Sequence, residues 1–311
     1  MTIVGLHHVT ATVGEAQADL DFCVGLLGLR LVKQTVNFDN HRVFHFYYGN
    51  AHGQPGTLWT TFPYAGQHVR TGTIGASQVV ATGFSVPEAA LDAWRERFTR
   101  AGVAFSERSV FDESRLAVRD PSGLFFEIVG TRGDDRAAWS GQGLPPEVAI
   151  RGLHGVTLLV HDIGATRDFI EGVLGCRVRD EIAGCARLDV GAGGPGRQFD
   201  VRHDADAIKG VNGIGAVHHV AFAVESDEAQ LALQDELQRR GVHVTPVMDR
   251  QYFRSIYFRE PGGVLFEVAT MAPGFSVDEP TEALGTSLKL PAWQESSRAA
   301  IEAGLPRIRL R

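Results

Sequence analysis

At 311 residues the chain has the length of two ordinary domains, and its 44% apolar and 22% charged residues are those of a globular protein with a large core. A net charge of −7 without any Lys/Arg run excludes a nucleic-acid face, which needs clustered cations on phosphates, and leaves small molecules as the expected partners. No apolar stretch reaches the roughly 18–20 residues that cross a bilayer, MTIVGLHH lacks the basic start and apolar middle of a signal peptide, and Cys23, Cys176 and Cys185 form neither a CxxC pair nor an even disulfide set, so a cytoplasmic protein with buried free thiols is expected.

Four segments open alike along the chain. Strands are expected over 4–13, 79–86, 153–160 and 217–224, each rich in Val, Leu, Ile, Phe or Thr. A helix follows each strand, with apolar residues at helical spacing: Leu20, Cys23 and Leu27, then Leu91, Trp94 and Phe98, then Phe169, Ile170 and Val173, then Leu231 and Leu237. Each helix stops at a glycine suited to a left-handed cap: Gly28, Gly102, Gly175 and Gly241. From the strand positions His8, Ala81, Gly155 and His219 to those glycines the spacing is 20, 21, 20 and 22 residues, which marks an internal repeat. Further strand-like runs at 42–48, 57–62, 255–258 and 264–269 complete the unit as βαβββ, within an α+β fold. The second and fourth units end almost identically, DPSGLFFEI through Glu127 and EPGGVLFEV through Glu267, a tight turn feeding a last strand.

The expected organisation is a first region over 1–140, with units at about 3–64 and 78–130, and a second over 150–270, with units at about 151–202 and 214–270. Weakly patterned linkers fall at 65–77, 131–150 and 202–213. A tail over 271–311 is expected to carry a short helix near 291–303, opened by Pro291, and to serve packing or subunit contact.

A lone strand histidine is ordinarily a satisfied core or surface residue. The repeat singles out two of them, because His8 and His219 occupy one position of the unit and become symmetry mates if units one and four pack together. With Glu267 they make two imidazoles and one carboxylate on rigid strands, the set that holds non-haem Fe(II) with about three open positions. Units two and three have Ala81 and Gly155 there and keep only carboxylates, Glu127 and Asp200, so no second ion is expected. Glu127 reads as structural, bonded to backbone or a cation, and His154 as a hydrogen-bonding strand residue.

The stretches LHHVT (6–10), KQTVNFD (33–39), His218-His219 and DRQYFRSIYFR (249–259) leading to Phe266-Glu267 resemble the vicinal oxygen chelate superfamily, and within it the hydroquinone ring-cleaving dioxygenase branch. The likeness runs over residues 3 to 270. It implies four modules pairing into two curved-sheet, partial-barrel halves of the glyoxalase/bleomycin-resistance/dioxygenase type, with modules one and four sharing the metal site. It implies that His8, His219 and Glu267 ligate Fe(II), with Mn(II) accepting the same ligands, and that His7, Thr10, His218, Arg250 and Tyr257 line the substrate. The implied reaction is an extradiol-type cleavage of hydroquinones that incorporates both atoms of O2.

Thr10 shares a strand face with His8 by alternation and can reach the pocket. Arg250 suits a developing anionic oxygen and Tyr257 can donate to one, although a surface ion pair and strand packing are their bland alternatives. His7 and His218 adjoin ligands, so regular strands would turn them to the opposite face as outer-layer histidines; the resemblance puts them at the substrate, which requires a bulge. Lys33, Asn37 and Asp39 belong to the motif without a derivable role beyond a loop over the site. The competing readings are a glyoxalase-like isomerase or transferase and a non-catalytic aromatic-binding module. The first is disfavoured because residues 57–62 offer no carboxylate at the slot matching Glu267, and the second has no need of His8, His219 and Glu267 together. A homodimer is the default assembly.

Overall fold

A computed structural model describes residues 3–310. Module one runs β1 (Gly5–Val13), α1 (Ala16–Leu20), a widened π-helical turn (Asp21–Leu26), β2 (Arg30–Asn37), β3 (Asn40–Gly49) and β4 (Leu58–Pro63). Module two runs β5 (Gln78–Pro87), α2 (Leu91–Arg100), β6 (Phe105–Val110), β7 (Glu113–Arg119) and β8 (Phe125–Thr131). Module three has β9 (Gly152–Val160), α3 (Ile163–Leu174), β10 (Arg177–Ile182), β11 (Cys185–Asp189) and β12 (Gln198–His203). Module four has β13 (Ala216–Val224), α4 (Asp227–Arg239), β14 (Met248–Asp249), β15 (Arg254–Arg259) and β16 (Leu265–Thr270). The four punctuating glycines take φ of 68°, 67°, 71° and 74°, the left-handed region where a Cβ would clash.

The modules pair across the chain rather than along it. One eight-stranded sheet has the order β14-β15-β16-β13-β1-β4-β3-β2 and the other β10-β11-β12-β9-β5-β8-β7-β6. Modules one and four thus join through antiparallel β1 and β13, and modules two and three through β5 and β9. The core lies between the two curved sheets, where Trp59 of β4 meets Phe126 of β8 with ring centroids 4.9 Å apart and Phe199 of β12 meets Phe222 of β13 at 5.5 Å. The segments read as linkers are ordered against each other. Gly72 N donates to Ile214 O and Gly210 N to Ala76 O, at 2.8 Å each. Glycine is needed at this crossing: a Cβ on Gly75 would sit 2.2 Å from Ile208 O.

Two local expectations are corrected. Leu231 is 49% exposed, and α4 instead faces the sheet with Gln230, Leu233 and Leu237. The buried Gln230 amide donates to Arg254 O and Val268 O at 2.8 Å, so a polar residue takes the inward position because it satisfies strand carbonyls. In the tail, Pro291 opens a turn closed by Gln294 N, and the helix starts later as α5 (Arg298–Gly304) after a 3-10 turn at Glu295–Ser297.

Candidate metal centre

β1 and β13 are neighbours at the centre of the first sheet, and β16 lies beside β13. In the β1–β13 register Leu6 faces Phe222 and His8 faces Ala221, so His7 is a bulge; Thr10 faces His219 and Ala11 faces Val217, so His218 is a second bulge. Each bulge inserts one residue and re-aims the side chains beside it. Both histidine doublets therefore depart from the strand alternation that would send their members to opposite faces.

His8, His219 and Glu267 converge. His8 Nε2 lies 3.3 Å from His219 Nε2, and Glu267 Oε2 lies 3.3 Å from His8 Nε2 and 2.8 Å from His219 Nε2. All three residues are buried. Glu267 Oε2 nevertheless accepts no well-aligned hydrogen bond. The three atoms lie within 2.8–3.3 Å of one another, and cis ligands bonded at roughly 2.0–2.2 Å lie roughly 3 Å apart, so the set fits one divalent first-row ion.

The remaining ligand-residue atoms are tied down. His8 Nδ1 is 2.8 Å from His7 Nδ1, and His219 Nδ1 is 2.7 Å from His218 Nδ1. Ser255 Oγ donates to Glu267 Oε1. Outer partners of this kind fix ring orientation and leave Nε2 and Oε2 for the ion. Burial alone would raise the Glu267 carboxyl, but the imidazoles of His8 and His219 outweigh it and hold the group well below its usual range. His219 is shifted down by burial, against the pull of Glu267. Burial and the adjoining ligand push His7 and His218 each to about 3, so both are neutral.

The triangle ends a cavity of about 440 Å³. Thr10 and His218 line it, as do Arg250 and Tyr257, whose guanidinium Nε and phenol oxygen are 3.2 Å apart. His7 does not: it sits behind His8, its ring centroid 4.9 Å from that of Phe253. Asn37 and Asp39 stand at the mouth, where Asp39 Oδ2 is 3.4 Å from Arg250 Nη1. Lys33 is elsewhere, fully buried and paired with Asp278 at 2.6 Å and with Glu279, so this motif residue anchors the tail. Sequence reasoning did not select Ser255 or the wall of His45, Tyr47 and Phe62. Alternation along β3 was the available signal, since it puts His45 and Tyr47 on one face.

At the matching position of the second sheet, ion pairs fill the space. Glu127 accepts from Arg115 Nη1 at 2.7 Å, Asp200 from Arg187 Nε at 2.6 Å, and Glu113 lies 2.8 Å from Arg187 and 3.0 Å from His154. Only about 10 Å³ of space remains between Arg115, Glu127, Arg187 and Asp200, while Glu113 and His154 also border a separate cleft of about 340 Å³. Two guanidinium groups thus supply the positive charge that the first sheet would take from an ion.

Comparison with known proteins follows the same division of the chain. The family described as glyoxalase/bleomycin resistance protein/dioxygenase superfamily matches residues 5–128 and 152–268. The chain is 42% identical to "Putative ring-cleaving dioxygenase MhqO" of Bacillus subtilis (strain 168), covering 97% of this chain and 96% of that one. It is 38% identical to the chlorohydroquinone/hydroquinone 1,2-dioxygenase of a Sphingobium indicum strain, covering 93% and 91%. A crystal structure from Bacillus subtilis subsp. subtilis str. 168, of a "putative dioxygenase", superposes with a TM-score of 0.95 at 41% identity, covering 100% of this chain and 99% of that one. Glyoxalase I from Zea mays shares the fold, with a TM-score of 0.63 at 14% identity over 86% of this chain and 92% of its own. By its repeated modules, its two curved sheets and these matches, the chain belongs to the glyoxalase/bleomycin resistance protein/dioxygenase superfamily.

Proposed function

We propose that the chain is a metal-dependent ring-cleaving dioxygenase that opens hydroquinone-like diols with O2, its ion held by His8, His219 and Glu267. The observation that carries this reading is the buried Nε2, Nε2, Oε2 triangle at the end of a cavity large enough for one aromatic ring. The names of the relatives at 38–42% identity support it. Fe(II) is the proposed ion, because two imidazoles and a carboxylate on one face leave positions for both diol and O2, and Mn(II) takes the same ligands. When bound, the ion supplies the electronic link between triplet O2 and a closed-shell ring, which otherwise react slowly.

The protein's own groups position the substrate. Arg250 stays charged and faces the cavity, suited to hold negative charge on a substrate oxygen. Burial and the charge of Glu267 keep the Tyr257 phenol protonated, so it is a donor at working pH. Thr10 can accept from a substrate hydroxyl, whereas neutral His218, whose Nδ1 accepts from the Nδ1 of a His219 that ligates through Nε2, presents its Nε2–H as a donor. His45, Tyr47 and Phe62 close the far wall with ring contacts of 4.0 and 4.2 Å, which excludes water and favours a flat ring. A 1,4-diol can place only one oxygen on the ion, so these groups must set its orientation.

Regions 1–140 and 150–270 act as one catalytic unit in this reading, since neither carries all three ligand residues. No helix among the described residues is long and apolar enough to cross a membrane, in keeping with a cytoplasmic enzyme. The exposed edge strands β6 and β10 offer surfaces for a homodimer. The test is anaerobic reconstitution with Fe(II), addition of a panel of hydroquinones and catechols, admission of air, and parallel records of O2 uptake and product spectra. Stoichiometric uptake with a ring-opened product, abolished by Glu267→Ala, is expected. One tightly bound ion with no uptake on any diol would sink the reading in favour of an isomerase or a binding module.

A further inference from the structure

His45, on β3, lines the cavity beside Tyr47 and Phe62, and its ring nitrogens do more than the wall packing requires. Its Nε2 is 3.0 Å from Thr60 Oγ1, and Thr60 Oγ1 is 2.8 Å from Thr10 Oγ1. The three side chains form one hydrogen-bonded chain that begins at His45 and ends at a hydroxyl two residues from His8. Thr60 faces Thr10 across β1 and β4 and Tyr47 across β3 and β4, and it is fully buried. Its hydroxyl therefore has no choice of partners beyond these two.

Each hydroxyl has a single proton to donate, so the direction of the whole chain is set at one end. If His45 Nε2 accepts, Thr60 donates to it, Thr10 donates to Thr60, and a lone pair of Thr10 is left facing the cavity. If Nε2 carries the proton, every bond reverses and Thr10 presents a donor. Burial holds the His45 imidazole neutral, so it has one accepting nitrogen and one donating nitrogen. Arg250 and Tyr257 already supply donors to the cavity, and the acceptor Asp39 is engaged with Arg250 at the mouth. A diol that brings an O–H needs an acceptor near the ion.

We propose that His45 is a positioning residue that acts through Thr60 to orient the Thr10 hydroxyl, so that Thr10 accepts a hydrogen bond from the hydroxyl of an aromatic diol. This rests on the proposed diol-cleaving reading for its ligand but not for its geometry. The bland alternative is a histidine kept for packing, since its ring lies against Tyr47 and Phe62. His45→Phe keeps the ring and removes the hydrogen bond, and Thr60→Val removes the middle of the chain at nearly constant volume.

The test has two arms. In the metal-free protein, 15N spectra of His45 should show the tautomer with Nδ1 protonated and Nε2 bare, and Thr60→Val should turn this into a mixture. In the Fe(II)-loaded enzyme, His45→Phe and Thr60→Val should each raise the KM for the diol about tenfold, the equivalent of one hydrogen bond, with metal affinity unchanged. The double variant should be no worse than Thr60→Val alone, and His45→Gln, which can still bond Thr60, should recover most of the loss. An Nε2-protonated His45, a silent His45→Phe, or additive losses in the double variant would overturn the proposal. The spectroscopic arm needs no turnover, so it decides the His45 to Thr60 link even if no diol proves to be a substrate.

Discussion

Ser255 offers the cleanest probe of how the centre is held. Its hydroxyl donates to Glu267 Oε1, both residues are fully buried, and they sit on adjacent strands, β15 and β16. Ser255→Ala removes one hydrogen bond to a buried carboxylate and leaves Oε1 without that donor. A hydrogen bond to a charged group contributes about 1.5–3 kcal/mol, which corresponds to about 10- to 100-fold in an equilibrium constant. The loss should fall on metal affinity, because the freed carboxylate can rotate away from the two imidazoles and takes up a proton more readily. Calorimetric titration of the metal-free protein with Mn(II), which is stable in air, reads this directly. Ser255→Ala should bind Mn(II) about 10- to 100-fold more weakly with one ion per chain retained. An affinity unchanged within about twofold would refute the view that Ser255 fixes the ligand geometry.

Three further outcomes are expected. Arg250→Met should lower kcat/KM for a diol about 10- to 1,000-fold while leaving Mn(II) affinity intact, since Arg250 faces the substrate and not the ligand triangle; equal loss of metal binding would contradict this. Lys33→Met removes the nearer cation of buried Glu279, leaving it only Lys289 at 3.9 Å, and should cost up to about 3–5 kcal/mol in urea unfolding, with the tail becoming protease-sensitive; an unchanged midpoint would contradict the tethering role. Asp19 is pushed up to about 6 by burial, against hydrogen bonds from Thr61, Tyr48 and Cys23. Its folded value lies above its unfolded value, so its protonated form is favoured in the fold and stability from this group rises as pH falls from about 6 to 4. Asp120, pushed to about 7 by burial, acts in the same sense, so the comparison must be made between wild type and Asp19→Asn. Their difference in unfolding free energy should change by about 1.4 kcal/mol per pH unit across that window and flatten outside it.

The repeat made much of the molecule legible. A spacing held four times places His8 and His219 at one position of the unit, and the structure joins their strands at the centre of one sheet. What the sequence concealed has a physical basis in each case. The bulges at His7 and His218 arise from the pairing of two strands more than 200 residues apart, and neither strand carries a glycine or proline at the bulged position to announce it. His7 and His218 consequently fare differently from any rule of alternation: one lies behind its neighbour and the other lines the cavity. Lys33 looked like part of a site loop because it lies in the motif, yet its partners Asp278 and Glu279 come from the tail, 245 and 246 residues later. Leu231 left its expected place on the inner face of α4 because Gln230 occupies it, its amide donating to two strand carbonyls at the helix–sheet interface. His45 escaped notice because its meaning depends on Thr60 and Thr10, brought beside it only when β3, β4 and β1 pair.

The central claim is that one ion sits where modules one and four meet. Crystals soaked anaerobically with Fe(II) and recorded on both sides of the iron absorption edge test it most directly. The account predicts a single anomalous peak bonded to His8 Nε2, His219 Nε2 and Glu267 Oε2, with nothing at the Arg115–Glu127 cluster of the second sheet. Iron bound elsewhere, or an empty triangle at saturating Fe(II), would contradict it.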